Sequence, residues 1–275
     1  MFKNGNTNKA ILIGINYTAS AKDTQLNGCV NDALNMYSIL EKHYGFKDDN
    51  ITLLLDGDFS VPDIKPEVIK NALLPTKKNI LSSLRKLMRD SKGCDSIWIH
   101  YSGHGGSIED RNGDELDGMD EFLFPCDYEK SPGNIILDDQ LYNIVNNAKC
   151  KVFITMDCCH SGTVCDLTYS FSLQNNRITR RQERKKKMQN NQVYMLSGCR
   201  DDQTSADAGF MINGKERFEG AFTRGILECL QIRNYRISLF QLLVDLHSFF
   251  KTVGFDQRTV LSSSNPNPYI YLQKN

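Results

Sequence analysis

Two stretches, Ser96–Gly106 (SIWIHYSGHGG) and Lys151–Gly162 (KVFITMDCCHSG), decide the fold and the chemistry of this 275-residue chain. Each opens on a short apolar run rich in branched residues, as buried strands do, and then breaks into glycine, serine and polar side chains. Lys9–Ile15 (KAILIGI), Ile51–Leu55 (ITLLL) and Val193–Ser197 (VYMLS) read the same way. Between these runs apolar residues recur at spacings of three and four: Leu34, Tyr37, Leu40 and Tyr44, then Ile80, Leu81, Leu84, Leu87 and Met88. Phe222–Leu230 and Leu239–Phe249 continue the pattern. Such spacing puts one apolar stripe on each helix. Strands alternating with helices predict an α/β fold, a mainly parallel sheet with helices on both faces. Active sites in such sheets form at the carboxyl ends of the strands.

At that end the first stretch presents Ser102, Gly103, His104, Gly105 and Gly106, and the second presents Asp157, Cys158, Cys159, His160, Ser161 and Gly162. A histidine and a cysteine therefore emerge at the same end of two predicted strands. That is the pairing a thiol nucleophile needs: a base titrating near neutrality takes the thiol proton and later protonates a leaving amine. The flanking glycines let the backbone turn sharply and bring N–H groups up to a substrate carbonyl.

Composition limits the alternatives. The 33 basic residues balance 33 acidic ones and 40% of the chain is hydrophobic, an ordinary globular composition. No apolar run reaches the roughly 18 to 20 residues of a membrane span, and Met1–Lys9 is too polar for a signal-peptide core, so a cytoplasmic protein is predicted. Nine cysteines without a C-x-x-C are expected to be reduced thiols rather than a disulfide framework or a zinc site. Charge is unevenly distributed. Gln174–Gln192 holds Arg177, Arg180, Arg181, Arg184, Lys185, Lys186 and Lys187 against Glu183 alone, whereas Ser107–Glu121 is strongly acidic.

The paired motifs YSGHG and DCCHSG resemble those of the metacaspases, the caspase-like cysteine peptidases of clan CD. The resemblance extends to Ala10–Tyr17 (AILIGINY), Asn27–Asp32 (NGCVND), Asp120-Glu121 with Pro125 and Asp127, Ser197–Cys199, Gln203–Asp207 and Gly220–Thr223. It implies a caspase-like three-layer sandwich spanning residues 1–275. About 1–173 would form a large-subunit-like region, 174–192 a basic linker and 193–275 a small-subunit-like region. The short amino terminus and short linker suggest a type I-like enzyme without a prodomain. In the family motif the nucleophile directly precedes His-Ser-Gly, so similarity assigns Cys159 and leaves Cys158 at a variable position. His104 would be the general base and acid, and the N–H groups of Gly105 and Cys159 the oxyanion hole. Ser102 would line the cleft, and Cys29 matches a cysteine seen near the family active site.

Caspases, which read aspartate, carry glutamine two residues before the nucleophile; here Asp157 stands there. A carboxylate at that place repels acidic side chains and suits a guanidinium or ammonium. Asp32 matches the second acidic residue of the metacaspase pocket, so cleavage after Arg or Lys is expected. Asp120, Asp138, Asp139 and Asp166 match the family's calcium ligands, hard oxygen donors of the kind calcium takes in numbers of roughly six to eight. Read without the resemblance, they are solvated acidic residues, with Asp138 capping a helix. The stretch Asp110–Asp120 is no EF-hand, because Gly113 is misplaced for one.

The basic segment is expected to be an exposed loop in which the enzyme cuts itself, at Arg177, Arg180, Arg181, Arg184, Lys185, Lys186 or Lys187. Without interleaved aromatics it is not expected to bind nucleic acid. Partners are therefore protein or peptide substrates, with no membrane, and the resemblance implies a monomer whose Pro268–Leu272 forms a strand at the sheet margin. The alternatives are a catalytically silent caspase-like scaffold and a calcium- or redox-regulated binding protein, the latter suggested by the vicinal Cys158-Cys159.

Overall fold

A computed structural model describes residues 7–59, 61, 64–109, 118–159, 164–184, 187–198, 207–212 and 214–274. The elements are β1 (Lys9–Gly14), α1 (Cys29–Tyr44), β2 (Ile51–Leu55), α2 (Pro66–Lys70), α3 (Lys77–Arg89), β3 (Ser96–Ser102), β4 (Gly105–Glu109), β5 (Met119–Leu123) and β6 (Ile136–Leu137). They continue with α4 (Asp138–Val145), β7 (Lys151–Asp157), β8 (Tyr169–Gln174), β9 (Arg177–Gln182), β10 (Val193–Ser197), β11 (Asp207–Ile212) and β12 (Lys215–Gly220). The last are α5 (Ala221–Ile232), β13 (Arg236–Ser238), α6 (Leu239–Val253), β14 (Val260–Ser263) and β15 (Tyr271–Gln273).

The five apolar runs of the sequence become five adjacent strands. In the central sheet, of order β2-β1-β3-β7-β10-β14-β8-β9, the first five are parallel and the rest antiparallel. Alternation along β1 shows why those runs are apolar throughout. Ala10 and Leu12 pack into one core with α1, α5 and α6, while Ile11 and Ile13 pack into the other with α3 and α4. The helices stop where their chemistry says they should. Gly45 and Gly254 close α1 and α6 in the left-handed region, and Thr76 and Ser238 cap α3 and α6 by accepting from Asn79 and Gln241 N–H. No helix among the described residues is long and apolar enough to cross a membrane.

Two expectations are corrected. The basic segment is not a loop up to Gln182. β8 and β9 form a hairpin on the two-residue turn Asn175-Asn176, both at positive φ as such turns require, and β9 is the outermost strand. Its exposed Arg177, Arg180 and Arg181 are the charges that keep an edge strand from pairing with another chain. The carboxyl-terminal strand begins at Tyr271 rather than Pro268, and it pairs with β13 in a separate two-stranded sheet instead of extending the central one.

Candidate active site

Parallel pairing of β3 with β7 sets Ser102 opposite Asp157, so His104 and Cys159 each stand two residues past a register pair at the same end of the sheet. His104 is held from all sides. Its backbone N–H donates to the Tyr17 hydroxyl at 2.8 Å, its carbonyl accepts from Tyr101 Oη at 2.8 Å and from Phe124 N–H at 3.2 Å, and its ring lies 4.6 Å from that of Tyr17. Tyr17 is fixed in turn, its N–H donating to the Asp56 carboxylate at 2.7 Å and its hydroxyl to the Phe124 carbonyl at 2.8 Å. Nε2 of His104 lies 2.7 Å from the carbonyl of Thr24. A carbonyl only accepts, so Nε2 carries the proton and Nδ1 is left as the basic nitrogen. Thr24 and Tyr17 were not assigned roles from sequence: a backbone carbonyl has no residue signature, and Tyr17 stands there only as the last residue of the Ala10–Tyr17 match. Tyr17→Phe leaves the half-buried His104 N–H without its partner and the Phe124 carbonyl with Tyr101 Oη alone, at 3.0 Å, and is expected to lower unfolding stability by about 1–3 kcal/mol in urea titration.

The two cysteines differ in burial. Cys158 is wholly buried in the core shared with Tyr17 and Tyr101, whereas Cys159 is partly exposed. A side chain at Gly105 would collide with the Cys159 carbonyl oxygen, so glycine there is what lets the His104 loop approach the cysteine loop. Cys29, matched to a cysteine near the family active site, is buried at the start of α1, and its charge acts on the Tyr17 and Tyr101 hydroxyls. His100, the other histidine of β3, is a buried core residue bonded to Thr155, its pKa pushed down to about 3 by burial. His160 and Cys199 lie outside the described residues.

Asp32 and Asp157 do come together, in a closed arrangement. The Asp32 carboxylate accepts from Ser102 Oγ at 2.7 Å and from Gly220 N–H at 3.0 Å, and Asp157 accepts from Thr223 N–H and Oγ1 at 2.8 and 2.7 Å. Ser102 thus supports Asp32. Burial, and then the neighbouring Asp157, push the Asp32 pKa well above the usual carboxylate range. Gly220 closes the space above them, because a side chain there would collide with Asp157 and reach 2.7 Å from Asp32 Oδ2. The Gly220–Thr223 motif, quoted from sequence without a role, therefore holds the carboxylate pair.

The four aspartates matched to calcium are oxygen donors of the right type. Asp138 and Asp166 both act on the buried Cys165 thiol, and Asp139 and Asp166 both act on Tyr142, so three of the four border one neighbourhood. They fit a hard cation in chemistry but are not assembled around one: among the described residues no three His, Cys, Asp or Glu side chains group as a metal site. Asp138 instead accepts from the N–H groups of Glu121 and Asp139, at 2.6 and 2.7 Å, as a residue at a helix start does. Asp120 sits on β5. Asp166 is paired at 3.2 Å with Arg184, whose guanidinium also stands 5.6 Å from the Tyr142 ring centroid. Arg184 is 6% exposed and is therefore not the accessible cleavage site expected of it, its charge being needed to neutralise a buried carboxylate. Lys187 is exposed, and Lys185 and Lys186 lie outside the described residues.

Residues 8–168 match the family profile described as metacaspase, peptidase C14 domain. Metacaspase-1 of Saccharomyces cerevisiae is 31% identical over 94% of this chain and 66% of its own length, and metacaspase-1A of Neurospora crassa is 32% identical over 94% and 63%. The chain thus spans just under two thirds of these relatives. Among solved structures, a protein from Geobacter sulfurreducens superposes with a TM-score of 0.61 at 22% identity, covering 95% of both chains. Caspase-1 from Spodoptera frugiperda superposes with 0.57 at 11% identity, covering 97% of this chain and 92% of its own. These two speak for the fold, which is caspase-like; on the family match and the sequence relatives, the chain belongs to the metacaspases, a family of cysteine peptidases.

Proposed function

We propose that this chain is an endopeptidase that cleaves after Arg or Lys with Cys159 as nucleophile and His104 as base. The observation that carries the reading is the hydrogen bond from His104 Nε2 to the Thr24 carbonyl, which leaves Nδ1 basic on a histidine whose neighbour Gly105 packs against the Cys159 carbonyl. Nδ1 takes the Cys159 thiol proton, and the thiolate attacks the scissile carbonyl carbon. The negative oxygen so formed is received by the N–H groups of Gly105 and Cys159. The imidazolium gives its proton to the leaving amine as the C–N bond breaks, leaving a thioester that water, deprotonated by His104, hydrolyses to the acid and free thiol. The Thr24 carbonyl steadies the imidazolium through Nε2–H. A basic side chain before the scissile bond is drawn by Asp32 and Asp157, and must compete with the Gly220 N–H that now occupies Asp32 and with the Thr223 N–H and Oγ1 that occupy Asp157.

Calcium, held by Asp120, Asp138, Asp139 and Asp166, would supply positive charge at the segment that follows Cys159. Arg184 already supplies one positive charge to Asp166, so the two cations compete. Arg184→Gln is expected to tighten calcium binding about 10-fold in calorimetric titration, and unchanged affinity would separate Arg184 from the ion. The test of the whole reading is hydrolysis of Arg-, Lys- and Asp-ending reporter peptides, with and without calcium, by wild type and Cys159→Ala. A preference for Asp would sink the pocket, and activity surviving in the variant would sink the nucleophile. Self-cleavage, followed by intact mass, is expected after exposed Arg177, Arg180, Arg181 or the lysines up to Lys187, and not after Arg184 while the chain is folded.

A further inference from the structure

The element that closes the carboxylate pair brings a third carboxylate with it. Glu219, the last residue of β12 before Gly220, is 1% exposed, and its Oε2 is buried without a hydrogen-bond partner among the described residues. Its other oxygen accepts from Asn35 Nδ2 at 3.0 Å, and Asn35 lies three residues beyond Asp32 on α1. The same junction is fastened by Asn31 Nδ2, which donates to the Phe218 carbonyl at 2.9 Å. Glu219 therefore lies over the α1 surface that carries Asp32, and its charge acts on Asp32. Its ion-pair partner is Arg224, at 3.6 Å and itself shared with Glu228, and the charge of Arg217 also acts on it. Arg224 directly follows Thr223, the residue that binds Asp157.

A buried carboxylate with one oxygen lacking a hydrogen bond, set beside two more carboxylates and met by an arginine it shares with Glu228, is an arrangement that a further cation would relieve. We propose that Glu219 is a specificity residue of the basic-side-chain pocket, adding a third negative charge toward the cationic residue that precedes the scissile bond, with Arg224 as the resident cation opposing it. This rests on the Arg/Lys reading of the pocket. The sequence gives no hint of it, because Glu219 reads as one charge in the alternating run KERFEG.

The probe is a matched pair of reporter peptides ending in arginine and in citrulline, which has nearly the same shape and no charge. Glu219→Gln is expected to lower the Arg-over-citrulline ratio of kcat/KM by about 10-fold, carried by KM, because one charge contact is lost while the citrulline rate is unmoved. Arg224→Met, at a partly exposed site, is expected to raise the same ratio by about 3-fold, since a repelling charge is removed. Glu219→Asp, which keeps the charge, should restore most of the loss. Equal loss on both peptides, or a ratio unmoved in both variants, would overturn the role of Glu219 and leave the Arg/Lys reading standing. If wild type itself shows no preference for arginine over citrulline, that reading falls and Glu219 falls with it. Should Glu219→Gln fail to fold, Arg224→Met alone decides, by the direction of its shift.

Discussion

Replacing Cys159 by alanine is expected to reduce hydrolysis of an Arg-ending reporter by roughly 10⁴-fold or more, with the circular dichroism spectrum and urea midpoint unchanged. Both halves follow from where the side chain sits. Removing the sulfur removes the atom proposed to form the thioester. Because Cys159 is partly exposed, its loss leaves no cavity. Cys158→Ala is the contrasting control. That thiol is fully buried against the tyrosines that hold His104, so its removal is expected to cost about 1–2 kcal/mol of stability while hydrolysis falls only a few-fold. The two variants thus distinguish vicinal cysteines that sequence alone separates only by resemblance. An exchange of outcomes, with Cys158→Ala silent and Cys159→Ala active, would move the nucleophile one residue back. His104→Ala is expected to match Cys159→Ala, since residues acting as one unit lose nearly everything when either is removed.

What was legible in the sequence was what burial imposes. β1, β3, β7 and β10 lie inside a covered sheet, must be apolar on both faces, and announce themselves as continuous runs; β2, at the sheet's edge beside β1, carries the same kind of run and buries Leu53–Leu55. The ends of β3 and β7 could be found for the same reason, and with them His104 and Cys159. β9 could not, because an edge strand is selected for charge: RITRRQ pairs with β8 through its backbone while its side chains read as a solvated loop. Arg184 shows the opposite failure. It belongs by composition to that basic run, yet two residues past the strand it turns inward to Asp166, a long-range pairing with no local signature. The same holds for Thr24 and Gly220, which act through main-chain groups, and for Glu219, whose neighbours Asn35 and Arg224 lie on two different helices. Sequence patterns report periodicity and burial; contacts made by backbone atoms, or between elements distant in the chain, leave no mark in them.

Asp32→Asn is expected to lower kcat/KM for Arg-ending peptides by roughly 10³-fold and, unusually for a buried residue, to leave the folded state no less stable at neutral pH. The loss of activity follows from removing one of two carboxylates that would face a guanidinium. The stability result follows from the direction of the Asp32 pKa, raised by burial and by Asp157 despite the hydrogen bonds from Ser102 and Gly220. In the unfolded chain an aspartate loses its proton near pH 4, whereas the folded carboxyl resists doing so. The folded state then binds more protons than the unfolded one, so this share of stability is fully present below the unfolded value and is lost as pH rises towards the folded one. Asparagine accepts from Gly220 N–H as aspartate does, and carries no charge to repel Asp157. The difference in urea midpoint between Asp32→Asn and wild type should therefore widen in the variant's favour from about pH 4 upward, while its activity stays low throughout. A variant that is less stable by the same amount at every pH would make Asp32 a structural anchor of the β12 junction instead. Retention of wild-type kcat/KM would remove it from the pocket. The two readouts are independent, because the strain of keeping two carboxylates together is borne by the folded protein at all times, whereas their attraction for a cation is felt only when a substrate enters.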